Sequence, residues 1–189
     1  MDFRKIMWAI RFQFYKVYLK KVGKIGYFGK PISIINPKKI YLGNRVRIYP
    51  GARLECHDNG SIVIEDNVSI GQNVHITSGK KELRIRSGTT ITGNVCITNM
   101  DHNYSDIDKP ILEQGFISKK TVIGKNCFIG FNAVIQAGTE LKDHCVIGAH
   151  AVVRGNYDDY SVIAGIPAKV IKKYNLKTNN WERIKNEYK

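Results

Sequence analysis

Ile123-Gly-Lys-Asn-Cys-Phe-Ile129-Gly-Phe-Asn-Ala-Val-Ile135-Gln-Ala-Gly-Thr-Glu-Leu141-Lys-Asp-His-Cys-Val-Ile147-Gly-Ala-His-Ala-Val-Val153 carries an aliphatic residue at every sixth position. A small or β-branched residue follows four places on, at Cys127, Ala133, Thr139, Cys145 and Ala151. Amphipathic helices repeat every 3.6 residues and half-buried strands every 2, so neither explains the register. A period of six reads as a parallel β-helix whose turns each contribute one inward aliphatic side chain.

Working outward, the register recurs at Leu42, Ile48 and Leu54, at Ile64, Ile70 and Ile76, and at Ile85, Ile91 and Ile97. With three turns to a triangular coil, these sets predict about five coils. At roughly 4.8 Å per stacked strand, that is a prism on the order of 25 Å tall. Gly and Asn at the bends (Gly43-Asn44, Gly71-Gln72-Asn73, Gly124-Lys125-Asn126) tolerate positive φ.

The register breaks three times: by ten residues between Leu54 and Ile64, nine between Ile76 and Ile85, and twenty-six between Ile97 and Ile123. Each break follows the third turn of a coil, so the insertions should leave from one edge of the prism. Insertions confined to one side of a solenoid often mark its binding face. The longest, residues 98–120, should form a protruding arm, and its length points to a functional or interface role.

The expected organisation is a helical cap at residues 1–30, the β-helix with its arm at 31–171, and a basic tail or short helix at 172–189. The net charge of +14 resides at the two ends. Residues 1–39 carry +9, residues 169–189 carry +5, and the repeat body is neutral. No nucleic-acid module and no basic stripe interleaved with aromatics is present in the body, so nucleic acid is not the expected partner. Phe3, Met7, Ile10, Phe14 and Val17 make one apolar helical stripe. Frequent Lys and Arg exclude a transmembrane span or a signal peptide. The segment reads as a cap over the open end of the prism, as a basic helix lying on an anionic leaflet, or as both.

Cys127 and Cys145 share the small-residue position eighteen residues apart, so they should stack in the core rather than bind metal or form a disulfide. Without a secretory signal, reduced cytoplasmic thiols are expected, with peripheral contact at the inner membrane as an addition. His144 and His150 fall on corresponding bends and read as solvated. His102 differs, because it lies where the chain leaves the prism for the arm. A free imidazole titrates near about pH 6.5, which suits a general base.

Four motifs in order resemble the left-handed β-helix O-acetyltransferases, particularly the branch acting on bacterial polysaccharide and lipopolysaccharide precursors. They are Asp101-His102-Asn-Tyr with Asp108-Lys-Pro-Ile, Ile123-Gly-Lys-Asn-Cys-Phe-Ile-Gly, Val146-Ile-Gly-Ala, and Ile163-Ala-Gly-Ile-Pro-Ala-Lys-Val-Ile171. The resemblance implies an all-β left-handed β-helix and a homotrimer with acetyl-CoA sites between adjacent prisms. It also implies direct transfer to a sugar hydroxyl with His102 as general base. The backbone N–H of Phe131 would hold the oxyanion, and Ala149, Arg154, Lys169 and Lys172 would contact the coenzyme. His75, Asn99 and Asp101 are the candidates for positioning the acceptor. No metal is expected: the related γ-class carbonic anhydrases carry paired histidines where Thr121–Asn132 has none. N-acetylation of an amino sugar, acetylation of a xenobiotic, and a non-catalytic scaffold remain as alternatives.

Overall fold

In the computed structural model, residues 3–184 are described. They form an N-terminal helix, Phe3–Tyr18, followed by a three-faced parallel β-solenoid. The first face runs from Lys21–Val22 to Asn156–Tyr157 in seven parallel strands. The second runs from Gly26–Phe28 to Ser161–Gly165, and the third from Ser33–Ile35 to Val152–Val153 in six strands. The prism therefore has about six coils, one more than the hexads predict. The additional coil comes first, with Val22, Phe28 and Ile34 at its inward positions. It escapes the pattern because an eight-residue step to Leu42 shifts the register and because its largest inward side chain is aromatic.

Each strand is short because the corner follows almost at once. Ile123, Ile129, Ile135, Leu141, Ile147 and Val153 all point inward and are buried, and so are the five small residues four places on. Those small side chains leave room for the bend. The corner residue just before each of them is what closes the triangle. It adopts positive φ at Asn67, Asn73, Asn94, Asn126 and Asn132, and also at His144, His150 and Tyr160. In the turn at Gly43, the left-handed residue is Arg45 rather than Asn44. Corner side chains stack between coils: the Asn73 amide donates to Asn94 Oδ1 at 3.2 Å, and Asn132 Nδ2 meets His150 Nδ1 at 3.1 Å. His144 and His150 are thus exposed members of corner columns.

Both ends of the prism are covered. The helix lies over the first coil, with Phe12 and Leu19 buried, Tyr15 edge-on to Phe28 at 4.8 Å, and Trp8 against Tyr27 and Tyr49. These capping residues belong to a different face from the stripe Phe3–Met7–Ile10–Phe14–Val17, which is exposed. At the far end, Ala168–Asn175 pairs antiparallel with Ser161–Gly165, and Asn180–Arg183 pairs with it in turn. The chain after 171 therefore continues as strand, not as a short helix, and shields the last edge from further strand pairing. Residues 1–2 and 185–189, at the outer limits of the expected cap and tail, lie outside the described residues.

Replacing a fully buried inward residue tests this packing. Ile129→Ala should cost about 2–5 kcal/mol of unfolding free energy in denaturant titration. Ile107→Ala, at a side chain 94% exposed on the arm, should change it by no more than about 0.5 kcal/mol.

Candidate active site

All three insertions leave from the corner between the third and first faces, as the register requires. They rest on one another. A Cβ at Gly60 would run into the Gly79 carbonyl, so the first two loops pass in backbone contact. The Gly79 N–H in turn donates to Asn99 Oδ1 at 2.6 Å. The Asn99 amide also donates to Ser78 Oγ and to the Lys81 carbonyl, at 3.1 and 2.8 Å. Asn99 is fully buried, so the structure gives this acceptor candidate the work of pinning the root of the arm.

The arm is an antiparallel ribbon. Met100–His102 pairs with Phe116–Ser118, bringing His102 opposite Phe116 with the rings 4.3 Å apart. Beyond the ribbon, Gln114 braces the tip by donating to the carbonyls of Asp106 and Lys109 at 2.7 and 2.9 Å. His102 is exposed, and among the described residues neither ring nitrogen has a hydrogen-bond partner. The ring is thus held by packing, with its nitrogens available to a ligand. It opens on a cleft of about 240 Å³ lined by Asp101, His102, Tyr104, Ile117, Lys119 and Arg154, among others.

Asp101, on the same strand as His102, faces Arg154 across 3.8 Å. No contact joins Asp101 to His102, so its carboxylate orients the guanidinium rather than the imidazole. Lys119 reaches the cleft from the return strand of the arm. The hexads could not reveal this, because the pairing of Met100–His102 with Phe116–Ser118 has no six-residue register.

The other candidates lie elsewhere on the chain. His75 is on the third face, at the start of the strand His75–Ser78. Its Nε2 lies 3.0 Å from Glu55 Oε2 and 2.8 Å from Thr77 Oγ1. Burial works to raise the Glu55 carboxyl. Hydrogen bonds from His75 and Ser33, with the charges of His75 and Arg53, outweigh it and hold the group below its ordinary value. Glu55 is a member of this cluster that sequence reading missed, because its partner is one coil away.

Phe131 and Ala149 occupy the corner between the second and third faces, not the His102 corner. Phe131 is half exposed, and its backbone N–H finds no acceptor among the described residues. Lys169 and Lys172 are on the strand that flanks the second face, where Lys172 lies beside Arg183. A single chain therefore unites His102, Asp101 and Arg154 but places Phe131 and Ala149 at a different corner.

Residues 120–155 match the bacterial transferase hexapeptide (six repeats) family. A putative lipopolysaccharide biosynthesis O-acetyl transferase of Escherichia coli K12, WbbJ, is 35% identical over 123 residues, covering 61% of this chain and 62% of that protein. The chain carries that family's hexapeptide repeat and is similar to its acetyltransferase members.

A probable acetyltransferase of Mycobacterium tuberculosis is 43% identical over 86 residues, or 46% of this chain and 28% of that protein. The chain thus spans less than two thirds of the length of either relative. Among solved structures, the N-acyltransferase AntD of Bacillus cereus, in complex with dTDP and 3-hydroxybutyryl-CoA, superposes with a TM-score of 0.75. It covers 89% of this chain and 90% of its own at 21% identity. A galactoside acetyltransferase in complex with coenzyme A gives a TM-score of 0.62 at 22% identity, over 93% of this chain and 75% of its own. At these identities the likeness is one of fold.

Two variants test the local chemistry. Asn99→Ala orphans the Gly79 N–H, while the Lys81 carbonyl keeps the Ser78 hydroxyl at 2.8 Å. It should lower stability by about 1–3 kcal/mol per unsatisfied group and speed amide exchange at Lys119, whose N–H bonds the Asn99 carbonyl at 2.8 Å. The Glu55 carboxyl is held below its ordinary value of 4.5, so its stabilisation is complete above that pH and lost as pH falls through the lower folded value. Unfolding measured from neutral into acid should therefore show a shallower loss for Glu55→Gln than for the wild type.

Proposed function

We propose that the chain transfers an acetyl group from acetyl-CoA to a sugar hydroxyl of a bacterial surface-glycan precursor, with His102 as the general base. The observation that carries this reading is the state of His102. It is exposed at the mouth of a cleft, fixed against Phe116, and without a hydrogen-bond partner at either ring nitrogen among the described residues. An imidazole so held can accept the acceptor's hydroxyl proton as the oxygen attacks the thioester carbonyl. The tetrahedral intermediate then collapses, the C–S bond breaks, and the proton passes to the coenzyme A thiolate. Proton and group transfer balance without a metal or a redox partner.

The separation of corners supports an assembly of copies, read as a homotrimer. His102 and Arg154 of one chain would face the Phe131 and Ala149 corner of another. The unpaired Phe131 N–H would then meet the developing oxyanion, an interaction worth about 3–4 kcal/mol. Lys169, Lys172 and the neighbouring Arg183 offer cations to the coenzyme's phosphates. The exposed apolar side chains of the arm, among them Ile107 and Leu112, suit burial against that second copy. The O-acetyl transferase WbbJ, matched over most of this chain, favours a lipopolysaccharide-type acceptor and a hydroxyl over an amine.

Thiol release from acetyl-CoA, measured with a panel of glycan and amino-sugar acceptors, tests the reading. Acceptor-dependent release should fall by about 10²–10⁴-fold in His102→Ala with acetyl-CoA binding retained. Full activity in that variant refutes His102 as base. Release with amino sugars alone moves the reading to N-acyl transfer.

A further inference from the structure

The N-terminal helix has two apolar faces, and the prism uses only one. Trp8, Phe12, Tyr15 and Leu19 pack on the first coil. On the opposite side, Phe3, Phe14 and Val17 are 72%, 70% and 78% exposed, with Met7 and Ile10 between them about half exposed. Ile25 and Ile32, in the turns of the coil that the helix covers, are also largely exposed. Five exposed apolar side chains along one helical face are uncommon on a protein that keeps them in water.

The charge around it selects the partner. Residues 3–39 contain ten Lys and Arg and no Asp or Glu. Lys5, Lys16, Lys20, Lys21 and Lys24 are exposed, and none is ion-paired among the described residues. A second copy meeting this face by the same face would bring these exposed lysines together, which opposes association. An anionic lipid surface supplies both missing elements: acyl chains for the stripe and phosphate charge for the lysines, whose long stems let the ammonium groups reach headgroups. No described helix is long and apolar enough to cross a membrane, so the contact would be interfacial.

We infer that the stripe Phe3–Met7–Ile10–Phe14–Val17 docks the helix in the plane of an anionic phospholipid leaflet, with the solenoid standing on the helix. One helix thus acts twice, closing the prism with its aromatic face and meeting lipid with its aliphatic and phenylalanine face. This inference is independent of the acyl-transfer reading.

Co-sedimentation of the full chain with phosphatidylglycerol/phosphatidylcholine vesicles, compared with phosphatidylcholine alone, tests it. The wild type should partition onto the anionic vesicles and be released by salt. The variant Phe3→Ser/Phe14→Ser/Val17→Ser should bind at least about tenfold more weakly. Its far-ultraviolet circular dichroism should be unchanged, because the three positions lie off the capping face. Failure of the wild type to bind, equal binding by the variant, or binding indifferent to lipid charge overturns the inference. So does a drop in the variant's assembly size, which would assign the stripe to contact between copies.

Discussion

Each strand of the prism hydrogen-bonds to the strand one coil above and one coil below, and every other feature accommodates that pairing. With the backbone ladders running along the prism, the interior of a coil holds three inward side chains. The corner must turn within two or three residues. An aliphatic side chain at each sixth position fills the interior, a small one beside it clears the bend, and a left-handed corner completes the turn. His144, His150 and Tyr160 show how firmly the coil imposes this geometry, because all three hold positive φ without glycine's freedom. The Asn132–His150 contact and the stacked rings of His144 and Tyr160 indicate what offsets the strain: these corner side chains find partners one coil away.

The same constraint decides where function can reside. A strand interior cannot absorb an insertion without breaking two ladders, whereas a corner can. Nearly all the irregular chain therefore leaves at one corner, where its loops lean on each other through Gly60, Gly79 and Asn99. The buried amide of Asn99 converts the longest loop from a mobile excursion into a rooted ribbon. Rooting would matter for the proposed chemistry, since a reacting group displaced by an ångström loses much of its rate. His102 inherits its position from this chain of contacts: Asn99 fixes the root, Ser118 and Phe116 pair across the ribbon, and the phenyl ring backs the imidazole.

Most of the solenoid could be read from the hexads because its inward residues answer to a single steric rule. The first coil was hidden where that rule bends, at Phe28 and at the eight-residue step to Leu42. The terminal hairpin was hidden because Lys169, Lys172 and Lys173 give its strand the look of a solvated tail. At the site, His102 and Asp101 were legible from their place at the root of the arm. The pairing of Asp101 with Arg154, the approach of Lys119 and the Glu55–His75 contact were not, since each joins residues from different coils or across the ribbon. The helix is the clearest case of ambiguity. Phe3–Val17 and Trp8–Leu19 both repeat at helical spacing, and hydrophobicity alone does not tell which stripe meets protein.

The proposed acyl transfer turns on the separation, within one chain, of the His102 corner from the Phe131 and Ala149 corner. It requires that catalysis belong to an assembly, with each site built from two copies. Analytical ultracentrifugation paired with turnover on the same diluted samples is the most direct measurement. Specific activity should fall in step with the loss of the assembled species. A monomeric fraction turning over acetyl-CoA and acceptor at the full rate would contradict it.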